Sequence, residues 1–348
     1  AQTAAEQGAV LLNYTPVTGF IRGADGLIDG VLARDEETGA ELRAEGKVVI
    51  NATGAFGDAV RRLALPNAAA MIAPSQGVHI VLDRSFLPSE AAIMVPHTSD
   101  GRVMFAIPWH GHTLVGTTDT AIPEATLEPR PLSSEIDFLL ETTTRYLDRA
   151  VTRADILSTF VGVRPLVQSG GGGNTASLSR SHTVHIDESG LLTITGGKWT
   201  TYRNMAEDCV NHAATLGKLE ERPCITKQLK IHGYHEGAAQ LGHLRVYGAD
   251  ADDILELAAS QPELGAKLHP ALPYLAAQVV WAARHEMART VDDVLSRRLR
   301  ATFLNARAAI AMAPAVAEIL ARELGRDAAW RDGEVAAFRA LAEGYLPP

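Results

Sequence analysis

The side chains able to do chemistry in this chain are few, and most are basic. Gly196-Gly197-Lys198-Trp199-Thr200-Thr201 follows a short apolar strand at 191–195 and precedes a helical pattern. Two glycines let the backbone turn sharply. A helix that starts there aims N–H groups and the positive end of its dipole at one point, where an anion is stabilised. Lys198 adds a full positive charge. Arg164 sits in the apolar run Gly162-Val163-Arg164-Pro165-Leu166, and Arg180 lies between Ser179 and Ser181 on the next strand. A buried guanidinium needs a carboxylate or a phosphate, and three converging cations would clamp a phosphorylated small molecule. His79 interrupts the apolar residues Val78, Ile80 and Val81; an imidazole titrating near ~6.5 can move a proton at neutral pH. Asn51-Ala52-Thr53-Gly54 ends another apolar strand, where a small residue and glycine let backbone lie against a flat ligand or a pyrophosphate.

Each feature also has a plainer reading. The Gly-Gly-Lys run can be an ordinary strand–helix connection, Arg164 half of a structural ion pair, His79 a satisfied core histidine, and Asn51-Ala52-Thr53-Gly54 a turn. Thr117-Thr118-Asp119-Thr120 is a polar strand end that suits a cap or Asx turn as well as a ligand. His97, His110, His112, His182 and His185 show no metal-ligand spacing, so no metal site is expected. No Gly-x-Ser-x-Gly elbow or Walker A loop is present. Trp109, Trp199, Trp281 and Trp330 are too scattered for a stacking platform, and Arg297, Arg298 and Arg300 read as a solvated helix face or a domain contact.

The whole chain narrows the choice. Its 348 residues suffice for two or three domains, and 46% hydrophobic against 21% charged residues is ordinary globular composition. A net charge of −9 argues against nucleic acid as the main partner. Two cysteines, Cys209 and Cys224, make no disulfide framework, which points to a reducing, cytoplasmic setting. No run of eighteen apolar residues exists to span a membrane. The sequence opens in mid-helix without an initiator methionine or a signal-peptide pattern, as a chain lacking an N-terminal part would.

The elements that must position these residues follow from periodicity. Strands are expected at 9–14, 17–22, 27–33 and 41–45, with a hairpin at Glu37-Thr38-Gly39, then a buried strand at 47–54 and a helix at 57–65. Strands at 78–82, 92–95, 103–108 and 113–118, with a turn at Ser99-Asp100-Gly101, predict an antiparallel sheet. A helix capped by Ser133 or Ser134 is expected within 131–150, a strand at 156–166, a glycine-rich loop at 169–174 and strands at 183–186 and 191–195. Thr200 or Thr201 should cap the helix carrying Met205, Cys209, Ala213 and Leu216 on one face, with Gly217 ending it. Beyond residue 233 strand patterns vanish; helices are predicted at 238–247, 251–259, 274–287, 291–299, 303–324 and 332–342, with Thr290 and Asp293 as a capping box.

Taken in order, the runs VVINATGAFGDAV, GVHIVLD, TSDGRVMFAIPW, VGTTDT, GVRPLV, LSRSHTV, LLTITGGKWTTYRNMAED and SRRLRATFLN resemble the flavin-dependent, quinone-linked glycerol-3-phosphate dehydrogenases, over about residues 9–325. The likeness is to the C-terminal two-thirds of that family. It implies an α/β plus all-α fold in three parts. These are a partial FAD-binding domain of the glutathione-reductase type (1–75 and 155–220), an antiparallel-sheet substrate domain (76–154) and a C-terminal helical domain (233–348). It also implies oxidation of glycerol 3-phosphate to dihydroxyacetone phosphate, with electrons passing through FAD to quinone. By the same resemblance His79 is the general base and Arg164 the main substrate anchor, with Arg180 and Lys198 as its partners. Thr53, Gly54, Gly196, Gly197, Thr200 and Thr201 would lie along the flavin. The family's Gly-x-Gly-x-x-Gly turn for the FAD pyrophosphate is absent from these residues, so the chain alone is expected to bind FAD poorly and to be inactive. Family members are peripheral on the inner face of the cytoplasmic membrane; no strongly basic amphipathic helix stands out here, and membrane contact and a homodimer stay open. Three alternatives remain: an oxidase passing electrons to oxygen, a flavin amine or amino-acid oxidase binding a carboxylate, and a non-catalytic chain whose helical part binds a partner.

Overall fold

The computed structural model describes residues 1–98, 101–168 and 181–348. The Ser99-Asp100 half of one predicted turn, the 169–174 loop and Arg180 lie outside the described residues. The N-terminal region holds α1 (Gln2–Glu6), an antiparallel sheet of β1 (Val17–Arg22), β2 (Ile28–Arg34) and β3 (Glu41–Glu45), then β4 (Ile50–Asn51) and α2 (Gly57–Ala64). The hairpin at Glu37-Thr38-Gly39 joins β2 to β3 as expected, closed by Asp35 accepting from Glu37 N at 2.8 Å. Residues 9–14 form no strand: Val10 is 87% and Leu12 66% exposed, and Tyr14 takes a φ of +51°. Alternating side chains describe a strand only where a neighbour supplies the ladder hydrogen bonds, and no described strand lies beside this one.

The central sheet comprises β5 (Ile72–Asp83), β6 (Ile93–Val95), β7 (Met104–Trp109), β8 (His112–Gly116), β9 (Thr120–Ala121) and, after α3 (Ser133–Thr144), β10 (Ile156–Val167). Its order is β10-β5-β8-β7-β6, all antiparallel, with β9 added on β5. Strand β10 was expected to go with the flavin-binding part, but it pairs along the length of β5 from Ile156↔Leu82 to Val167↔Ile72. The period of two divides β5 cleanly. Val78, Ile80 and Leu82 are fully buried under Ile136 and Leu139 of α3, whereas Ser75, Gly77 and His79 point to the other face. Helix α3 is not capped by its serines: Glu135 accepts from Leu132 N at 2.9 Å, so the carboxylate caps from inside.

Next come β11 (His182–Ile186), β12 (Leu192–Gly196) and α4 (Tyr202–Leu216), the last ended by Gly217. Strand β12 is antiparallel to β11 and parallel to β4, with Leu192↔Ile50 and Thr193↔Asn51 in register. Cys209 and Ala213 of α4 bury against Leu192, as the helical stripe predicts.

The C-terminal region is helical around its own large core: α5 (Ala251–Ser260), α6 (Ala276–His285), a π-helical turn (Asp293–Arg298), α7 (Ala301–Leu304), α8 (Ala306–Leu324) and α9 (Ala328–Ala342). Residues 238–246 are 3₁₀ rather than α, broken at Gly242, whose φ of 57° and ψ of −125° no helix accommodates. The 291–299 helix is the π turn; its capping box is present, Asp293 N donating to Thr290 Oγ1 at 3.1 Å and Thr290 N to Asp293 Oδ2 at 3.2 Å. Asn305 splits the predicted 303–324 helix because its side chain caps α8, accepting from Ala308 N at 3.0 Å. Asp327 likewise starts α9 at Ala328, earlier than apolar spacing suggested. Polar ties join this region to the N-terminal part: Glu37 accepts from Arg289 at 2.9 Å and Arg326 at 3.1 Å, Tyr14 OH donates to Asp293 at 2.7 Å, and Asn13 Nδ2 to the Met287 carbonyl at 2.8 Å. Among the described residues no helix is long and apolar enough to cross a membrane.

Candidate active site

The face of the central sheet opposite α3 collects the chemistry. Arg164 of β10 lies opposite Ser75, Gly162 opposite Gly77, and Phe160 opposite His79, so all six share one face. Arg164 folds its guanidinium over Gly77: a Cβ there would stand 2.6 Å from Nη1 and 2.7 Å from Cζ. His79 leans over Gly116 of β8 in the same manner, with Nε2 2.7 Å from where a Cβ would be. Over Gly162 there is open space, with nothing within 4 Å of a Cβ position. Gly77 and Gly116 thus make room for the guanidinium and the imidazole, and Gly162 leaves open space on the same face.

Arg164 is held by the Thr117-Thr118-Asp119-Thr120 segment. Nη1 donates to Asp119 Oδ1 at 3.4 Å, and Nη2 donates to the Thr118 carbonyl at 3.1 Å and Thr117 Oγ1 at 3.3 Å. Asp119 also accepts from Ser75 Oγ. The segment is fixed from below by buried Glu135, which accepts from Thr120 Oγ1 at 2.6 Å, Thr118 Oγ1 at 3.0 Å and Gln76 Nε2 at 2.7 Å. The ion-pair reading of Arg164 and the site reading thus hold together: the pair orients a guanidinium that still lines a cleft. Burial, and secondarily the Arg164 cation, lower the pKa of His79 to about 4, so its imidazole is neutral at pH 7.

A cleft of about 740 Å³ runs from Arg164 and Leu166 to Gly196, Gly197, Lys198, Trp199, Tyr202 and Met205. Gly196 and Gly197 have φ of +74° and +75°, which side-chain-bearing residues rarely adopt, and a Cβ on Gly197 would meet Met205 Sδ at 2.5 Å. Lys198 is exposed at the rim. Since β4 and β12 run parallel, the turns after Asn51 and after Gly196 leave the sheet at the same end, where α/β folds bind ligands. Gly54 there has φ +58° and nothing within 4 Å of a Cβ position.

The residues present fit one side of a flavin. Buried Thr195 Oγ1, just before the glycines, has no hydrogen-bond partner among the described residues. No described side chain caps the fifteen-residue helix α4, and Tyr202 N at its start donates to the Trp199 carbonyl, so what this end offers an anion is the positive end of the helix dipole. Neither predicted threonine cap forms. A 3₁₀ turn, Trp199–Thr201, intervenes, and Thr201 Oγ1 instead donates to the Lys198 carbonyl at 3.0 Å; Thr200 is exposed. The Thr53 hydroxyl donates to Asn51 Oδ1 at 2.7 Å, and Asn51 Nδ2 to the Gly57 carbonyl at 2.9 Å, which sets the turn carrying Gly54.

Of the residues singled out from the sequence, His79 and Arg164 share one sheet face and Lys198 lies on the cleft that Arg164 lines; Asp119, Glu135 and Phe160, which hold the first two, were not singled out. Asp119 reads from the sequence only as part of a polar strand end, although an acidic residue near an arginine in an apolar strand is an available signal. Glu135 and Phe160 gave none, because their partners are remote in sequence. His182 pairs with Asp208 at 2.9 Å and His185 with Asp187 at 3.1 Å, and the described residues hold no metal-binding cluster.

Residues 192–331 match the family model described as the C-terminal domain of alpha-glycerophosphate oxidase. The chain is 38% identical to a Caenorhabditis elegans protein named "Probable glycerol-3-phosphate dehydrogenase, mitochondrial", over 99% of this chain and 50% of that one. It is 38% identical to the Homo sapiens "Glycerol-3-phosphate dehydrogenase, mitochondrial", over 94% of this chain and 48% of that one. The chain therefore spans about half the length of these curated relatives. Its structure is similar to the X-ray structure of the glycerol-3-phosphate dehydrogenase from Bacillus halodurans complexed with FAD. The TM-score is 0.84 and the identity 28%, covering 99% of this chain and 72% of that one. Residues 1–203, from the N-terminal sheet through the glycine turn, match the model described as FAD dependent oxidoreductase, and on that match the chain belongs to the FAD-dependent oxidoreductase family.

Proposed function

We propose that these residues form the substrate face and one wall of the flavin site of an enzyme that oxidises sn-glycerol 3-phosphate to dihydroxyacetone phosphate. The observation that carries this reading is the placement of Arg164 and Lys198 at one cleft beside the glycine turn. Two cations suit a phosphate dianion better than a carboxylate, for which one arginine suffices. A bound FAD, with Gly54, Gly196 and Gly197 along it, would supply the hydride acceptor for C2 of the substrate. Arg164, pre-oriented by Asp119, anchors the substrate, and Lys198 closes on its phosphate from the rim. His79, neutral at pH 7, takes the C2 hydroxyl proton on an imidazole nitrogen. An anion on Arg164 offsets the cation that depresses His79, so substrate binding makes the imidazole more basic. The N-terminal end of α4 stabilises negative charge on the neighbouring ring.

The test is anaerobic stopped-flow reduction of the flavin-loaded enzyme. Glycerol 3-phosphate should bleach the flavin, Arg164→Ala should raise the substrate Kd about 100-fold by removing a charged anchor worth roughly 3 kcal/mol, and His79→Gln should slow reduction without comparable loss of binding. Equal reduction by wild type and Arg164→Ala would refute it. For the electron acceptor we propose a quinone, whose lipid solubility places the enzyme at the cytoplasmic face of a membrane; stoichiometric hydrogen peroxide in its place would identify an oxidase.

A further inference from the structure

The orientation of His79 has no hydrogen bond behind it: among the described residues none is made to its imidazole. What holds the ring is contact. It stacks on Phe160, with centroids 5.1 Å apart and planes 14° from parallel, and rests over Gly116 on its other flank. Phe160 is caged in turn. Phe303 of α7 meets it edge-on at 5.2 Å and 79°, and Trp109 lies 6.0 Å away. Tyr345, near the C-terminal end, backs Phe303 at 5.6 Å. Helix α7 has only four residues, yet its position is pinned. Ser158 Oγ donates to the Thr302 carbonyl at 2.8 Å, Ser296 Oγ bonds Thr302 Oγ1 at 2.9 Å, and Arg307 Nη1 donates to the Ile156 carbonyl at 3.0 Å. The helical region thus grips β10 two residues before Phe160 and presents one ring to it.

We propose that Phe160 and Phe303 are positioning residues for His79: the helical region, acting through Phe303, fixes the ring on which the imidazole stacks and keeps water from it. The inference rests on the reading of His79 as the proton acceptor. Edge-to-face and stacked aromatic pairs are worth ~0.5–1.5 kcal/mol each beyond their buried area, enough to hold one rotamer but not to bridge a cavity left by a deleted ring. Arg164 from β10 is the charged group acting on His79, with Asp119 beyond it; α7 meets the stack through the Phe303 ring. The stack therefore acts by exclusion and placement rather than by charge.

The test uses the flavin-loaded enzyme with ¹³C-labelled histidine, the His79 signal being assigned by its loss in His79→Gln. Phe303→Ala should raise the His79 titration midpoint by about one unit toward its ordinary value and lower kcat about tenfold. The substrate KM should change less than threefold, because Arg164 is untouched. Phe303→Leu, which keeps bulk, should stay within threefold of wild type in kcat and covers the case in which the alanine variant fails to fold. Phe160→Leu should reproduce the Phe303→Ala shift. An unchanged His79 titration in both Phe303→Ala and Phe160→Leu would overturn the proposal, as would parallel loss of kcat and KM in Phe303→Leu. If His79→Gln keeps full activity while the titration still shifts, positioning stands and the proton-acceptor reading fails.

Discussion

Adding one methyl group at Gly77 should displace Arg164 without removing it. A Cβ there would stand 2.6 Å from Nη1 and 2.7 Å from Cζ, whereas ordinary contact begins at 3.4 Å. The guanidinium must therefore retreat by about 0.8 Å or more. It is the far end of a flexible side chain, so it can move while the strand stays in place. Gly77 does not have the positive φ of the turn glycines, and Gly→Ala at compatible backbone positions costs no stability and can add ~0.4–1 kcal/mol. Displacement lengthens the bonds to Asp119 and Thr118 and misplaces the anchor for substrate. A hydrogen bond to a charged group is worth ~1.5–3 kcal/mol, and each 1.4 kcal/mol is tenfold. Gly77→Ala in the flavin-loaded enzyme should thus lower kcat/KM for glycerol 3-phosphate by roughly 10- to 100-fold with an unchanged melting temperature. In an Arg164→Ala background the added methyl should change kcat/KM less than twofold, since the group it displaces is gone. Full activity in Gly77→Ala, or an undiminished effect without Arg164, would refute the assignment of Arg164 as the anchor.

Three further outcomes follow from the same geometry. Gly116→Ala puts a methyl 2.7 Å from His79 Nε2 and should cut the rate of flavin reduction about tenfold or more, leaving substrate Kd within threefold; stopped-flow separates the two. Because the folded pKa of His79 is lowered to about 4 from an unfolded 6.5, the unfolded state binds its proton first, so this stabilisation is present above pH 6.5 and lost as pH falls toward 4. Urea titrations should show His79→Gln losing less stability over that window than wild type, by up to ~3 kcal/mol, and the His79 imidazole followed by NMR should titrate near 4; a midpoint near 6.5 would contradict the burial argument. Asp293→Ala strips the acceptor from Tyr14 OH, Arg289 N and Thr290 N at a residue 4% exposed, and should cost ~2–4 kcal/mol in chemical denaturation.

Local patterns carried much of this protein. Gly196 and Gly197 before a helix, Arg164 in an apolar strand and the capping pair Thr290 and Asp293 are short-range signals, because turn conformation, desolvation and helix ends are settled within a few residues. The stripe of Cys209 and Ala213 on α4 was legible for the same reason. The family resemblance supplied FAD and the α/β plus helical architecture, which the comparisons bear out.

Other features were decided by partners distant in sequence. Residues 9–14 have strand composition but no ladder beside them, and β10 joined β5 although its own residues do not say which sheet it completes. Asp119 meets Arg164 across 45 positions and Phe303 meets Phe160 across 143, contacts that exist only because sheet register and the docking of α7 bring them together. The sequence by itself determined which residues could bind an anion and turn a chain. Only the tertiary structure decided that one sheet face would carry an arginine held by Asp119 and a histidine held by stacked rings, because side-chain orientation there depends on neighbours that no local pattern encodes.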